Sequence, residues 1–335
     1  MLPTDRYTLD EVIGALRSRD RRMLARCCSL AESTLQKDRE FLARIIDALP
    51  ASPNVTRRIA ITGSPGVGKS SLIEKWGFQL IEQGHSVAVM AIDPSSRRTG
   101  GSILGDKTRM PRLSNARNAF VRPQPSGTHL GGTSSGTRAS VILCEAAGFD
   151  TIIIETVGVG QSEVEVADIV DVCLLLTLPT AGDEVQAIKR GIMEVSDIIA
   201  VMKSDIEPHA ARHASALLQG AVRMLRPFSE EWLTRVVIAN AVEETGLDDL
   251  NAAVTEFFRH ERRDAICRRR ERQMVQWFDS ALDTMFREML LHREDIRHTI
   301  EHERLALVNN KTTVPIAVLH VEQTLSDILQ WKNDQ

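Results

Sequence analysis

Apolar positions along the 335 residues fall into three regimes. From Thr8 to about Pro50 they recur at three- and four-residue steps, as Val12, Leu16, Met23 and Leu24, then Leu42, Ile45, Ile46 and Leu49. That spacing lines one face of a helix, and Pro50 and Pro53 close the zone. From Arg57 to about Phe258, the short runs RRIAITG, SVAVMAID, TIIIETVG, VCLLLTLP, IIAVMKSD and RVVIANA alternate with amphipathic segments. Continuous apolar runs of this length suit strands buried on both faces, joined by crossover helices. They predict an α/β fold with a doubly wound, mostly parallel sheet, whose ligands gather at the carboxyl ends of the strands. The third regime opens with the charge-dense RHERRDAICRRRERQ and stays helical through Val275, Phe278, Leu282, Met285, Met289 and Leu290. The expected organisation is a helical extension over residues 1–52, an α/β domain over 53–258 and a helical arm over 259–335. The basic run is expected to be a solvated helix face. His298 and His302 stand four apart on this arm but lack a carboxylate partner that would make a metal site of them.

The stretch GSPGVGKS, Gly63 to Ser70, fits G-x-x-x-x-G-K-[ST] and sits between the strand RRIAIT and the helix SLIEKWGFQLIEQG. Gly63, Gly66 and Gly68 allow Ser64, Pro65 and Val67 to curl so that backbone N–H groups face a phosphate. The N-terminal end of the following helix, at Ser71, adds its positive dipole end. Lys69 would reach the β- and γ-phosphates, and Ser70 would ligate Mg²⁺. Further oxygen ligands are available at strand ends: Asp93 closes SVAVMAID, and Glu155 closes TIIIE in the Walker-B position. After it, TVGVGQ offers the Gly158 N–H to a γ-phosphate, and Gln161 is a candidate to orient water. Between the two carboxylates runs the polar, Gly-rich SSRRTGGSILGDKTRM, in which Asp106 is a further candidate ligand for metal or water.

Composition narrows the surroundings. A hydrophobic content of 43% is ample for a core, and a net charge of -4 gives no electrostatic case for nucleic acid or an anionic membrane. The five cysteines are scattered and never form C-x-x-C, which argues against a disulfide framework or a zinc site. No apolar run reaches about 18 residues, and the opening MLPTDRYTLDEV has no apolar signal core. A cytoplasmic setting is expected.

The segments AIDPSSRRTGGSILGDKTRM, LGGTSSGTRASVILCEAAGFD, IIIETVGVGQSEVEVADIVD and PTAGDEVQAIKRGIMEVSDIIAVMKSD together resemble the MeaB/ArgK/MMAA family. Its members are G proteins of the SIMIBI class of P-loop NTPases that act as chaperones for adenosylcobalamin-dependent acyl-CoA mutases. The resemblance runs from about Ala25 through the G domain and more loosely into the tail. It implies a GTPase using GTP/GDP and Mg²⁺, with Lys69, Ser70, Asp93, Asp106 and Glu155 as phosphate and magnesium residues. It also implies a C-terminal arm used for homodimerisation and a mutase partner. The segment from Thr180 to Gly191, with Gly182, Asp183, Glu184, Gln186 and Lys189, would then be a switch facing that partner. The chain lacks the D-x-H-x-x-G signature with which it would hold cobalamin itself.

One departure concerns the base. In the family pattern Asn-Lys-x-Asp, the Asp reads guanine N1–H and N2, the Lys stem packs on the ring, and the Asn amide ties the base loop to the phosphate loop. Here the stretch is Met202-Lys203-Ser204-Asp205. A base that leaves Asp205 unpaired costs about 1–3 kcal/mol or more, whereas losing the neutral Asn bond costs about 1 kcal/mol. Selectivity should therefore persist while affinity or loop rigidity weakens. In IANAVEETG, Asn240 and Ala241 stand where relatives commonly have Ser-Ala, and Ala241 keeps an N–H for guanine O6. Two rival functions fit less well. A nickel-delivery GTPase for urease or hydrogenase needs a Cys/His site, and this domain offers only isolated Cys144 and Cys173. A P-loop kinase needs an acceptor pocket and base that nothing here marks.

Overall fold

The computed structural model describes residues 7–33, 35–49, 56–93, 110–125, 132–156, 166–179, 190–224, 232–260 and 263–331. Three helices open the chain: α1 (Leu9–Arg17), α2 (Arg21–Ala31) and α3 (Gln36–Asp47). Thr8 and Glu11 cap each other's backbone N–H at the start of α1. The Asp20 carboxylate accepts from the N–H groups of Arg22 and Met23 at 2.8 and 3.1 Å and so fixes the start of α2. There follow β1 (Arg57–Gly63), α4 (Lys69–Glu82), β2 (Val87–Asp93), α5 (Pro111–Asn115), β3 (Ala119–Pro125), α6 (Gly132–Ala146), β4 (Thr151–Glu155) and β5 (Val172–Thr177). Then come α7 (Arg190–Glu194), β6 (Ile198–Val201), α8 (Pro208–Val222), β7 (Arg235–Ile238) and α9 (Leu247–His260). The chain ends in α10 (Arg263–His292), α11 (Glu294–Val308) and α12 (Val314–Trp331).

The strands form one seven-stranded sheet in the order β3-β2-β4-β1-β5-β6-β7, and every described pairing is parallel. This is the doubly wound sheet that the apolar runs predict. β3 is an addition to the six runs read from the sequence. Its AFVRPQP carries two prolines that argue against a strand, but it lies at the sheet edge, where a missing N–H is tolerated.

Side chains alternate between the two faces, as strand geometry requires. Ile59 and Ile61 of β1 join a core with Val89, Ile153, Leu174 and Leu176 and with Leu72 and Trp76 of α4 and Leu250 and Phe257 of α9. Ala60 between them faces a second core, made with Met90, Ile152 and Ile154, Val141 and Leu143 of α6, and Leu16, Leu24 and Ile45 of α1–α3. The N-terminal helices are thus one covering layer of the sheet. Each fully buried Leu, Ile or Phe stabilises by about 1.5–3 kcal/mol, which explains why a sheet this apolar keeps helices on both faces.

The chain divides into two compact units, Met1–Met274 and Val275–Gln335. The first turns of α10 belong to the first unit, and here the structure corrects one expectation. Arg268, Glu271 and Arg272 are solvated, but Arg269 and Arg270 are half-buried and Gln273 is buried. Arg270 grips both carboxylate oxygens of the fully buried Asp171 at 2.8 and 2.6 Å and meets Glu145 of α6 at 3.3 Å. Glu145 in turn takes both arms of Arg58 at 2.8 and 2.7 Å, and Asp171 also accepts the Arg58 N–H at 3.0 Å. Arg269 donates to the Asp171 carbonyl, and Gln273 donates to the carbonyl of Val170 at 2.8 Å. The start of α10 is therefore stapled to the amino ends of β1 and β5. In the second unit, the Glu303 carboxylate of α11 lies 3.0 Å from His320 Nδ1 of α12 and 3.4 Å from His302 Nδ1. No group of three or more His, Cys, Asp or Glu among the described residues could hold a metal ion. No described helix is long and apolar enough to cross a membrane.

Asp171 gives this staple a test. Removing one partner of a buried ion pair costs about 3–5 kcal/mol, because the other charge stays buried. Asp171→Ala should lower the unfolding free energy by that amount, measured as a fall in the urea midpoint. A midpoint unchanged from wild type would mean that water already solvates Arg270.

Candidate nucleotide site

The phosphate loop begins where β1 ends. Gly63 has φ 141° and lies level with Leu176 of β5, so close that an added Cβ would stand 2.4 Å from the Leu176 carbonyl oxygen. No side chain fits there, so the first glycine is demanded by the packing of two strands as well as by the turn. Gly66 and Gly68 also take positive φ, at 80° and 109°, and Val67 between them is fully buried beneath the loop. Gly68 is the N-cap of α4 and supplies no side-chain cap, so the first N–H groups of the helix remain available to an anion. Ser64, Pro65 and Gly66 form the exposed rim, and Ser71 is exposed on the first turn of α4. Lys69 is 8% exposed and folds back to donate to the carbonyls of Gly63 at 2.6 Å and Ser64 at 3.1 Å. Its ammonium is thus held within the loop.

The carboxylate expected beside the loop is present. Glu155 ends β4 level with Ile61 of β1 on one side and Ala91 of β2 on the other. Ser70 Oγ donates to Glu155 Oε1 at 2.7 Å, so the hydroxyl and carboxylate expected to share a metal are already in contact. A hydroxyl and a carboxylate are hard oxygen donors, the set that Mg²⁺ prefers, and the pair fits that ion. Glu155 is 7% exposed, and behind it the Thr156 hydroxyl donates to the Thr62 hydroxyl at 2.9 Å, locking β4 to β1. Asp93 ends β2 two residues beyond Ala91, at the same edge of the sheet as Glu155. Asp106, Gly158, Gln161, Gly182, Asp183, Glu184, Gln186 and Lys189 lie outside the described residues.

Sequence reasoning missed Glu74. This α4 carboxylate is 7% exposed and accepts the N–H groups of Arg112 at 2.7 Å and Leu113 at 3.1 Å. It therefore caps α5, the first described helix after Asp93, and links that helix to the helix that begins at the phosphate loop. Arg112 also stacks its guanidinium over Phe78 of α4 at 4.0 Å. The only hint in the sequence was an acid on an otherwise apolar helix face.

At the other end, loops after β6 and β7 stand side by side. The Met202 N–H donates to the Thr177 carbonyl at 2.8 Å, and the Ala239 N–H donates to Val201 at 2.9 Å. Met202 is 1% exposed and belongs to the same apolar cluster as Val67 and Ala241. The position that lost the Asn amide is therefore packed rather than open. Lys203 takes φ 55°, a left-handed turn that leaves Asp205 exposed. Asn240 is 1% exposed, and its carboxamide oxygen accepts the Val242 N–H at 2.8 Å. The Asn240 backbone N–H donates to the Thr245 carbonyl at 2.9 Å, closing the turn that carries Ala241.

The model of the family described as methylmalonyl Co-A mutase-associated GTPase MeaB matches residues 24–294. A Mycobacterium tuberculosis protein described as a probable GTPase is 50% identical over 247 residues, 73% of this chain and 74% of its own. The GTPase ArgK of Escherichia coli is 41% identical over 308 residues, 90% of this chain and 92% of its own. The mouse protein named methylmalonic aciduria type A homolog, mitochondrial, is 42% identical over 262 residues, covering 74% and 63% of the two chains. Among solved structures, a LAO/AO transport system kinase superposes with a TM-score of 0.76 at 33% identity, covering 95% of this chain and 98% of its own. With its phosphate loop, its paired Ser70 and Glu155 and these relatives, the chain is a guanine-nucleotide-binding GTP hydrolase that belongs to the MeaB family of P-loop GTPases.

Proposed function

We propose that GTP hydrolysis in this chain times the action of a chaperone, gating adenosylcobalamin loading onto an acyl-CoA mutase and protecting that mutase. The observation that carries this reading is the match of residues 24–294 to a family of mutase-associated GTPases, over a chain that keeps Lys69, Ser70 and Glu155 in contact distance of one loop. The client would be methylmalonyl-CoA mutase or a related isobutyryl- or 2-hydroxyisobutyryl-CoA mutase.

In this reading, the N–H groups from Gly66 to Ser70 hold the phosphates, and Lys69 turns from the loop carbonyls to the β- and γ-phosphates. Ser70, Glu155, Asp93 and Asp106 would hold Mg²⁺, which when bound offsets charge on the phosphate oxygens. Water attacks the γ-phosphorus in line, the bond to the β–γ bridging oxygen breaks, and GDP and phosphate leave. Loss of the γ-phosphate releases the loops that it held, which is how a local event becomes a signal to a partner. Asp205 would read the guanine N1–H and N2, Lys203 would lie along the ring, and Ala241, supported by Asn240, would donate to O6. The exposed Phe278, Met285, Phe286 and Met289 of α10 support a homodimer formed through the C-terminal arm.

Base selection is tested by nucleotide affinity. Wild-type protein should bind GDP far more tightly than ADP, and Asp205→Ala should lose that preference by about tenfold or more, the scale of the hydrogen bonds that guanine N1–H and N2 would donate to its charged carboxylate. Equal affinity of the wild type for both nucleotides would remove Asp205 from this role.

Coupling is tested by turnover. A slow switch gains speed only from a partner that contacts its loops, so the cognate mutase should raise GTP turnover at least about tenfold, or ~1.4 kcal/mol of barrier. Lys189→Ala should remove most of that rise and leave basal turnover intact. If the variant responds to the mutase as the wild type does, the segment from Gly182 to Lys189 is not the coupling element.

A further inference from the structure

Met202 stands where the Asn-Lys-x-Asp pattern has its Asn, and it is buried among apolar groups. A polar connection is built on the outer side of α4 and α9. Lys75 Nζ donates to Glu244 Oε1 at 2.5 Å, Gln79 Nε2 donates to Asp248 Oδ1 at 2.5 Å, and Asn251 Nδ2 donates to Gln83 Oε1 at 3.3 Å. Lys75 and Gln79 of α4 and Gln83 at its C-cap are four apart, so they form one stripe along a helix that begins at Lys69. Their partners begin in the turn between Asn240 and Thr245 and continue along α9. Beneath this polar stripe, Trp76 and Leu80 of α4 and Leu247, Leu250 and Val254 of α9 share one apolar core.

The turn it reaches is strained and shaped for one position. Glu244 has φ 58°, a conformation that costs a non-glycine residue energy unless its surroundings hold it. Gly246 has φ 71°, and an added Cβ there would stand 2.1 Å from the Ile238 carbonyl oxygen. The turn therefore rests directly on the end of β7, while the Glu244 side chain is fastened to α4. The hydrogen bond and charge of Lys75 hold the Glu244 carboxyl below the usual carboxylate range.

We propose that the Lys75–Glu244 pair, backed by the Gln79–Asp248 and Gln83–Asn251 rungs, is a positioning element for guanine nucleotide. It sets the distance between the base-side turn and the phosphate loop in place of the Asn amide. The proposal rests on the reading of Lys203–Asp205 and Asn240–Ala241 as the base end of the site. Neither Lys75 nor Glu244 touches the nucleotide in this account; both act through the turn that carries Ala241.

The test compares GDP affinity and GDP release in Lys75→Met, Glu244→Gln and the reversed pair Lys75→Glu with Glu244→Lys, alone and in a Met202→Asn background. Each single variant should raise the GDP dissociation constant about three- to fivefold, the scale of one exposed ion pair, through faster release. The reversed pair should recover most of the loss, and the effect of Glu244→Gln should fall below about twofold in the Met202→Asn background. Unchanged dissociation constants in both single variants would overturn the proposal. So would a Glu244→Gln penalty as large with Met202→Asn as without it, or a lowered melting temperature with GDP affinity untouched. The ADP control separates this from the parent reading: wild type that does not prefer GDP overturns the base assignment itself. Wild type that prefers GDP, with variants that bind it equally well, overturns the ladder alone.

Discussion

Ile61 of β1 stands level with Glu155 of β4, and Gly63 stands level with Leu176 of β5, and this register decides where each group at the phosphate end can be. A one-residue slip would invert every side chain of β1 between its two cores, so the alternation of Ile59, Ala60 and Ile61 fixes the pairing. Once it is fixed, the chain leaving β1 must turn in the narrow space between a carboxylate and a carbonyl. Gly63 is the only residue type that clears the Leu176 oxygen there. The same turn delivers Ser70 to within hydrogen-bonding distance of Glu155. Core packing and phosphate chemistry are thus one constraint seen from two sides.

The opposite edge of the sheet shows what a buried charge network adds. Asp171 begins its contacts at the amino end of β5, and its partners Arg58, Arg269 and Arg270 come from β1 and α10. Desolvated ions are weak contributors to net stability but penalise every arrangement that unpairs them. The first turns of α10 are in this way bound to one register on the sheet floor. Gln273 adds a second hold, donating to the carbonyls of Ala167 and Val170 just before β5.

What was legible in the sequence was whatever local spacing encodes. Gly63 to Ser70 declares itself because glycines, a lysine and a hydroxyl must occur at fixed steps between a strand and a helix, and Glu155 follows from its place at a strand end. Six of the strands declare themselves as apolar runs, whereas β3 hides behind Pro123 and Pro125, which only an edge position makes acceptable. The burial of Arg269 and Arg270 was illegible for a different reason. A run of basic residues reads as solvated until Asp171 and Glu145, about a hundred residues earlier, are brought beneath it. Glu74, Lys75 and Glu244 were silent on the same ground, since their partners are distant in sequence. Local chemistry can be read from one window of residues, but pairing across the fold cannot.

Met202 shows how these levels trade against one another. At this position an Asn contributes one neutral hydrogen bond, about 1 kcal/mol net. A methionine side chain taken fully out of water contributes about 1.5–3 kcal/mol. Met202 is almost wholly buried in the cluster that includes Val67 under the phosphate loop and Ala241 in the turn after β7. Met202 therefore supplies non-directional burial where an Asn would supply a directional bond. What it forfeits is geometry, because apolar contact holds two loops together without fixing their angle. Angle must then come from groups that do have direction, and the turn after β7 has them. The Asn240 carboxamide fixes the backbone of Val242, the Thr245 carbonyl fixes that of Asn240, and Lys75 fixes the side chain of Glu244. Strength from packing and direction from polar bonds are supplied at separate residues, where an Asn-bearing loop obtains both from one.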